Sequence, residues 1–133
     1  IVGKNPPEKI IKYQDGLNIF VKGYVDSMID ELASATIAIA PMQSGSGMQI
    51  KILESMSIGL PIVATELGRG DISVIHNQHI LIANESKEFI NECISLIKNK
   101  SLQESIGSLA KYFVENNHSW QRIEKQYIDI YEV

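Results

Sequence analysis

An α/β fold, a parallel sheet of about five strands with helices on both faces, follows from three features of the sequence. Short apolar runs at Ile1–Gly3, Asn18–Lys22, Thr36–Ala40, the stretch ending at Thr65, and Ile80–Ile82 alternate with helical patterns. The stretch Thr36–Thr65 reads in order as strand, glycine loop, helix, turn and strand. Right-handed crossovers then bring the strand ends to one rim, where ligands of such sheets bind.

The elements can be taken in order. Gly3-Lys-Asn-Pro6-Pro7 is a turn, and Pro7 or Glu8 opens a helix with Ile10, Ile11 and Tyr13 apolar. Asp15-Gly16 ends it before the strand Asn18–Lys22. Asp26 or Ser27 caps a helix to about Ala33. Thr36–Ala40 is apolar and partly β-branched, as a strand buried on both faces should be. Pro41 stops its ladder for want of an N–H, and Gly45-Ser-Gly47 lets the backbone bend. From about Met48 to Ile58 the pattern is helical, with Ile52, Leu53 and Met56 on one face; Gly59 and Pro61 close it. Glu66–Asp71, with two glycines and mixed charge, reads as an irregular loop at a strand end, and Ile72–Ile75 as a short turn or extended piece. Asn84 or Ser86 caps a helix to about Lys98, with Phe89, Ile90, Cys93, Ile94 and Ile97 inward. Ser101 caps the next, to about Asn116, with Leu102, Ile106, Leu109 and Phe113 on one side. The last runs from about Ser119 to Tyr131. No linker or repeat interrupts the chain, so one domain is expected over 1–133.

The chemistry concentrates on the central helix. Free N–H groups and the helix dipole at a glycine-rich N-terminus favour an anion. Gly47, Lys51 and Glu54 are spaced i, i+4 and i+7 and share a stripe opposite the core. An ammonium one turn in can reach a phosphate, and a carboxylate one turn further can accept from two neighbouring hydroxyls, such as a ribose pair. The ordinary alternative is a surface Lys51–Glu54 ion pair worth about 0.2–0.5 kcal/mol.

The segment SGSGMQIKILESMSIGLPIVAT resembles the donor-binding segment of retaining glycosyltransferases of the GT-B fold, the group-one or family-four type. The likeness extends to IVGKNP before it and HILIA after it. It implies a Rossmann-like, C-terminal, nucleotide-sugar-binding domain, with an acceptor domain and this domain's first strand and helix absent. The second glutamate of the family's E-x7-E motif, which binds the donor ribose, falls on Glu54; the first falls on Ser46, a departure that leaves the sugar contacts open. A branch with G-x-G-x-x-x-K is matched by Gly45, Gly47 and Lys51. The resemblance implies a diphosphate on the backbone of Gly45, Ser46, Gly47 and Met48. Lys51 would be the catalytic residue, offsetting charge on the leaving phosphate, and the Gly23-Tyr24-Val25 turn would lie over the nucleobase. Tyr24 is then a stacking wall or, alternatively, a cover for the sheet edge. Arg69 would approach the diphosphate, or serve as an ordinary surface arginine. Trp120, in the family's Ser-Trp start of the last helix, is expected to anchor packing.

By the same likeness the full-length protein transfers a hexose from a nucleoside diphosphate sugar to a hydroxyl acceptor in glycan biosynthesis. No metal or other cofactor is expected, and the chain alone is expected to be inactive. The implied location is cytoplasmic, with peripheral association at the inner membrane surface and self-association of the truncated sheet as further partner expectations. A non-catalytic binding module is the alternative, favoured by Ser46.

Composition excludes other classes. A net charge of −4 argues against a nucleic-acid surface. A single cysteine cannot form an internal disulfide, and Cys93 lies among apolar residues as a structural thiol. No G-x-G-x-x-G follows the first strand, and the lysine comes too late for a P-loop. A receiver domain would need clustered carboxylates at strand ends, and Pro41-Met-Gln has none. His76 and His79 lack partners at a zinc spacing and read as turn residues.

Overall fold

The computed structural model describes residues 1–45, 47 and 49–131. The chain forms two compact units, Ile1–Glu31 and Leu32–Val133.

In the first unit the two predicted strands reduce to a parallel bridge between Val2 and Lys22. The Lys22 N–H donates to Ile1 O at 2.8 Å, and Gly3 N–H to Lys22 O at 3.3 Å. Helix α1 (Glu8–Ile11) is a single turn. Asp15 ends this segment by an Asx device: its Oδ1 accepts from the N–H groups of Leu17, Asn18 and Ile19 at 2.9, 2.7 and 2.8 Å. Those donors hold the carboxyl at about 2, well below the usual carboxylate range. Helix α2 (Met28–Ala33) follows, with Lys22 Nζ paired to Glu31 at 2.6 Å.

The second unit is built on three parallel strands in the order β1 (Ala38–Ala40), β2 (Ile62–Ala64), β3 (Leu81–Ile82). Ala38 pairs with Ile62, Ala40 with Ala64, and Val63 with Leu81. Among the described residues the expected count of about five strands is therefore corrected to three, with isolated bridges at Val2–Lys22 and His76–Ile80. The run at 18–22 supplies its backbone groups to local partners, Asp15 among them, and extended pairing does not develop.

Alternation along β2 assigns the helices to two faces. Ile62 and Ala64 pack with Ile52 and Met56 of α3 (Ile50–Ser57) and with Ala110 and Val114 of α6 (Lys100–Asn117). Val63 and Leu81 pack with Leu96 of α5 (Ser86–Lys98) and Ile106 of α6. The α/β arrangement with helices on both faces is as expected.

The inward face of α5 is Phe89, Cys93 and Leu96; Ile90, Ile94 and Ile97 are exposed, contrary to expectation. Leu96 falls between the isoleucines in sequence and takes the core position instead. Burial raises the Cys93 thiol above its ordinary range, with Glu92 adding to the effect, as befits a structural cysteine. The N-cap of α6 is Asn99, whose Oδ1 accepts from Leu102 N–H at 3.0 Å, and not Ser101. Leu109 of α6 is exposed, while Gly107, Ala110 and Val114 are buried. Trp120, expected as an anchor, is 81% exposed at the start of α7 (Trp120–Tyr131).

Helix α3 ends in a Schellman motif: Leu60 N–H donates to Ser55 O at 3.0 Å and Gly59 N–H to Met56 O at 2.9 Å. Gly59 sits at φ 74°, and its carbonyl abuts Gly107 of α6, where a Cβ would lie 2.1 Å from Gly59 O. A glycine inside a helix is ordinarily unfavourable by about 1 kcal/mol relative to alanine. At 107 the backbone contact reverses that sign. Gly107→Ala is expected to destabilise the chain by about 1–3 kcal/mol, measured by urea unfolding. A gain in stability would show that α3 and α6 are not held this closely.

Candidate donor site at the carboxyl rim of the sheet

The loop from Pro41 to Gln49 leaves the carboxyl end of β1 and enters α3. Gly45 and Gly47 take φ values of 125° and 81°, a region that favours glycine. Gly45, Gly47 and Lys51 are exposed and Glu54 is half-buried; α3 begins at Ile50, so Lys51 and Glu54 lie on the helix while Gly47 precedes it and does not share its stripe. Ser46 and Met48, also expected to hold the donor, lie outside the described residues. Tyr24 and Val25 belong to the first unit, where Tyr24 is 74% exposed.

The Lys51–Glu54 ion pair does not form. Lys51 Nζ points instead to Met42 Sδ at 3.0 Å, and among the described residues the Glu54 carboxylate has no hydrogen-bond partner. A thioether is a weak acceptor, so the ammonium keeps its charge available to a better one. Ser55 Oγ donates to Lys51 O at 2.9 Å and Ser57 Oγ to Glu54 O at 2.7 Å, which secures the backbone beneath both side chains. Gln49, a buried residue at the N-cap position, makes no side-chain cap; its Nε2 donates back to Gly47 O at 3.2 Å.

The loop expected at 66–71 contains a one-turn helix, α4 (Glu66–Arg69). Its signal was Thr65, whose Oγ1 accepts from Gly68 N–H at 2.9 Å as an N-cap while donating to Met42 O at 2.7 Å. Arg69 is committed within the protein. Its Nε donates to Glu66 at 3.0 Å, its Nη2 pairs with the same carboxylate, and its Nη1 donates to Ile72 O at 2.9 Å. The structure thus favours the ordinary reading of Arg69.

A cleft of about 490 Å³ opens at this rim, lined by Met42, Thr65, Leu67, Asn84 and Phe89 among others. One of about 520 Å³ lies at the opposite, amino ends of β1 and β2, beside Thr36, Leu60, Pro61 and Gln103. Gly45, Gly47, Lys51 and Glu54 line neither cleft; strand carboxyl ends and helix N-termini, where ligands of such sheets bind, lie on the side of the first.

His76 and His79 are turn residues, as expected: their Nδ1 atoms accept from Ile82 N–H at 2.9 Å and Ile75 N–H at 3.1 Å. Among the described residues no group of three or more His, Cys, Asp or Glu is placed to hold a metal ion, and no helix is long and apolar enough to cross a membrane.

Residues 1–99 match the family described as Glycosyl transferases group 1. The chain belongs to this family. It is 31% identical over 118 residues to an uncharacterized glycosyltransferase of Methanocaldococcus jannaschii, covering 86% of this chain and 30% of that protein. It is 26% identical to the phosphatidyl-myo-inositol mannosyltransferase of Mycobacterium leprae, covering 99% of this chain and 37% of that one. The chain thus spans about a third of the length of these relatives. Among solved structures, the Anabaena protein HepE in complex with UDP aligns with a TM-score of 0.75 at 21% identity, over 83% of this chain and 31% of that chain. The C-terminal domain of a group 1 glycosyl transferase from Francisella tularensis aligns at 0.70 and 15% identity, over 85% and 60%. The fold of this group 1 chain is accordingly the Rossmann-like one of the GT-B C-terminal domain.

One pH effect follows from the turn that leads into β3. His79 stacks on Phe113 with ring centroids 4.8 Å apart, and burial lowers its pKa below the ordinary 6.5. The unfolded chain then takes up this proton first, so the contribution of neutral His79 is complete above 6.5 and is lost as pH falls through the lower folded value. An NMR imidazole titration should give His79 a midpoint under 6.5, and His79→Asn should flatten the acid-side loss of stability. A midpoint at or above 6.5 would contradict the packing described.

Proposed function

We propose that this chain is the donor-binding domain of a glycosyltransferase that moves a hexose from a nucleoside diphosphate sugar to a hydroxyl acceptor. The observation that supports the reading is the exposed glycine pair Gly45 and Gly47 just before α3, with Lys51 and Glu54 on the helix itself, in a chain of the group 1 family.

In this reading the backbone at 45–48 and the N-terminal turn of α3 hold the diphosphate. Lys51 leaves the Met42 thioether and neutralises the charge that grows on the departing phosphate, an electrostatic contribution to the transition state. Glu54 accepts from the ribose hydroxyls. The lysine and the helix N-terminus supply the positive charge, so donor binding requires no metal. The acceptor site belongs to the remainder of a longer protein, and this chain binds donor without turnover.

The second reading is a binding module that has lost transfer, and it is favoured by Ser46 at the place of the family's first glutamate. Calorimetry with UDP, GDP and ADP tests both. The donor reading expects binding of one of them, and Lys51→Ala and Glu54→Ala are each expected to weaken it on the order of tenfold, about one charged hydrogen bond. Binding to none by the folded chain favours the module; unchanged affinity in both variants removes these residues from the site.

A further inference from the structure

We propose that Met42 is an oxidation site that regulates Lys51: a peroxide turns the thioether on which the ammonium now rests into a sulfoxide that retains it. The proposal rests on the donor-site reading above and adds a control over that same site.

Met42 is held by its backbone and its side chain alike. Its N–H donates to Ala40 O at 2.9 Å, a tight turn at the end of β1. Its carbonyl accepts from Thr65 Oγ1 at 2.7 Å. Its Cε lies over Gly45, where a Cβ would sit 3.2 Å away. Its Sδ meets Lys51 Nζ at 3.0 Å. The sulfur is thus placed by the chain leaving β1, and the lysine comes to it. Met42 is half-buried and lines the open cleft of about 490 Å³ at the carboxyl rim, so it is open to a small oxidant. Met56, fully buried in the core, has no such access.

The chemistry is a two-electron oxygen transfer. A sulfur lone pair attacks one oxygen of hydrogen peroxide, the O–O bond breaks and an S–O bond forms. The proton on the transferred oxygen passes to the departing one, so the peroxide leaves as water and the sulfur is oxidised. A thioether is a weak acceptor, whereas the sulfoxide oxygen is polar and its bond to an ammonium is charge-assisted. Lys51 must then break a strong interaction before it meets a phosphate. Methionine sulfoxide is reduced enzymatically, so the change is reversible.

The test treats the chain with hydrogen peroxide and locates sulfoxides by mass spectrometry. One readout is the affinity, by calorimetry, for whichever of UDP, GDP or ADP the untreated chain binds. The other is the rate at which an N-hydroxysuccinimide ester acylates Lys51, because only the uncharged amine reacts and a bond to the sulfoxide favours the charged form. Conversion of Met42 is expected to weaken nucleotide binding on the order of fivefold and to slow acylation of Lys51 on the order of threefold. Methionine sulfoxide reductase is expected to reverse both. Met42→Leu, which conserves volume, should show neither response. Lys51→Ala, lacking the ammonium, should lose no affinity on oxidation. Met42 left as thioether once Met28 is oxidised overturns the site. An equal response in Met42→Leu overturns it too, by placing the effect on another methionine. Unchanged acylation with Met42 fully converted, or an equal loss of affinity in Lys51→Ala, overturns retention of the ammonium. If no nucleotide binds the untreated chain, the donor reading fails, while the acylation rate still decides the response to oxidation.

Discussion

The parallel pairing of β1 with β2 constrains everything else. Parallel neighbours cannot be joined by a hairpin, so the chain must cross over a sheet face before β2 begins. Here that crossover is the glycine loop and α3. Once Ala38 pairs with Ile62 and Ala40 with Ala64, the N-terminus of α3 is forced to the carboxyl rim. The ends of β1 and β2 and the turn into α4 arrive at the same rim. The site is a consequence of the topology, and the side chains on it only refine what the backbone has already gathered.

Packing keeps that topology in place. Ile52 and Met56 are fully buried under the strands, so the outer stripe of α3 is left for polar groups. The Schellman turn at Gly59 and its contact with Gly107 fix the far end of the helix against α6. At the near end Gly70 lies close against Gly47 O and the Gln49 side chain. An eight-residue helix pinned at both ends leaves little freedom in where Lys51 and Glu54 stand. Lys51 rests on a thioether and Glu54 has no described hydrogen-bond partner, so neither side chain must break a strong interaction to meet a ligand.

Much of this was legible in the sequence, and the exceptions have physical reasons. The α3 crossover was readable because its signals agree: β-branched residues, Pro41, two glycines, an apolar period of helix, then Gly59 and Pro61. The runs 1–3 and 18–22 had strand composition, but composition does not report whether a partner strand exists; only the Val2–Lys22 bridge forms. On α5 every third or fourth isoleucine looked inward, yet Leu96 holds the core and Ile90, Ile94 and Ile97 are exposed. The apolar stripe covers nearly half of that helix, wider than the face that is buried, so periodicity could not say which edge of the stripe, Phe89–Cys93–Leu96, meets the core. Helix α4 was missed because its two glycines read as loop, while the deciding signal was the cap at Thr65. Spacing put Lys51 and Glu54 on one helix, but it also counted Gly47 into their stripe, and the helix begins only at Ile50. The contact of Gly70 with Gln49 was not legible, since the two are distant in sequence and meet only once the sheet has formed.

The central claim is that a nucleoside diphosphate settles at the entry of α3. An NMR titration of the chain with UDP, GDP and ADP tests it most directly. The account predicts that one nucleotide shifts the amides of Gly45, Gly47, Ile50 and Lys51 most strongly and leaves those of Leu60 and Gln103, at the opposite end of the sheet, in place. Shifts centred on Leu60 and Gln103, or no shift with any of the three, would contradict it.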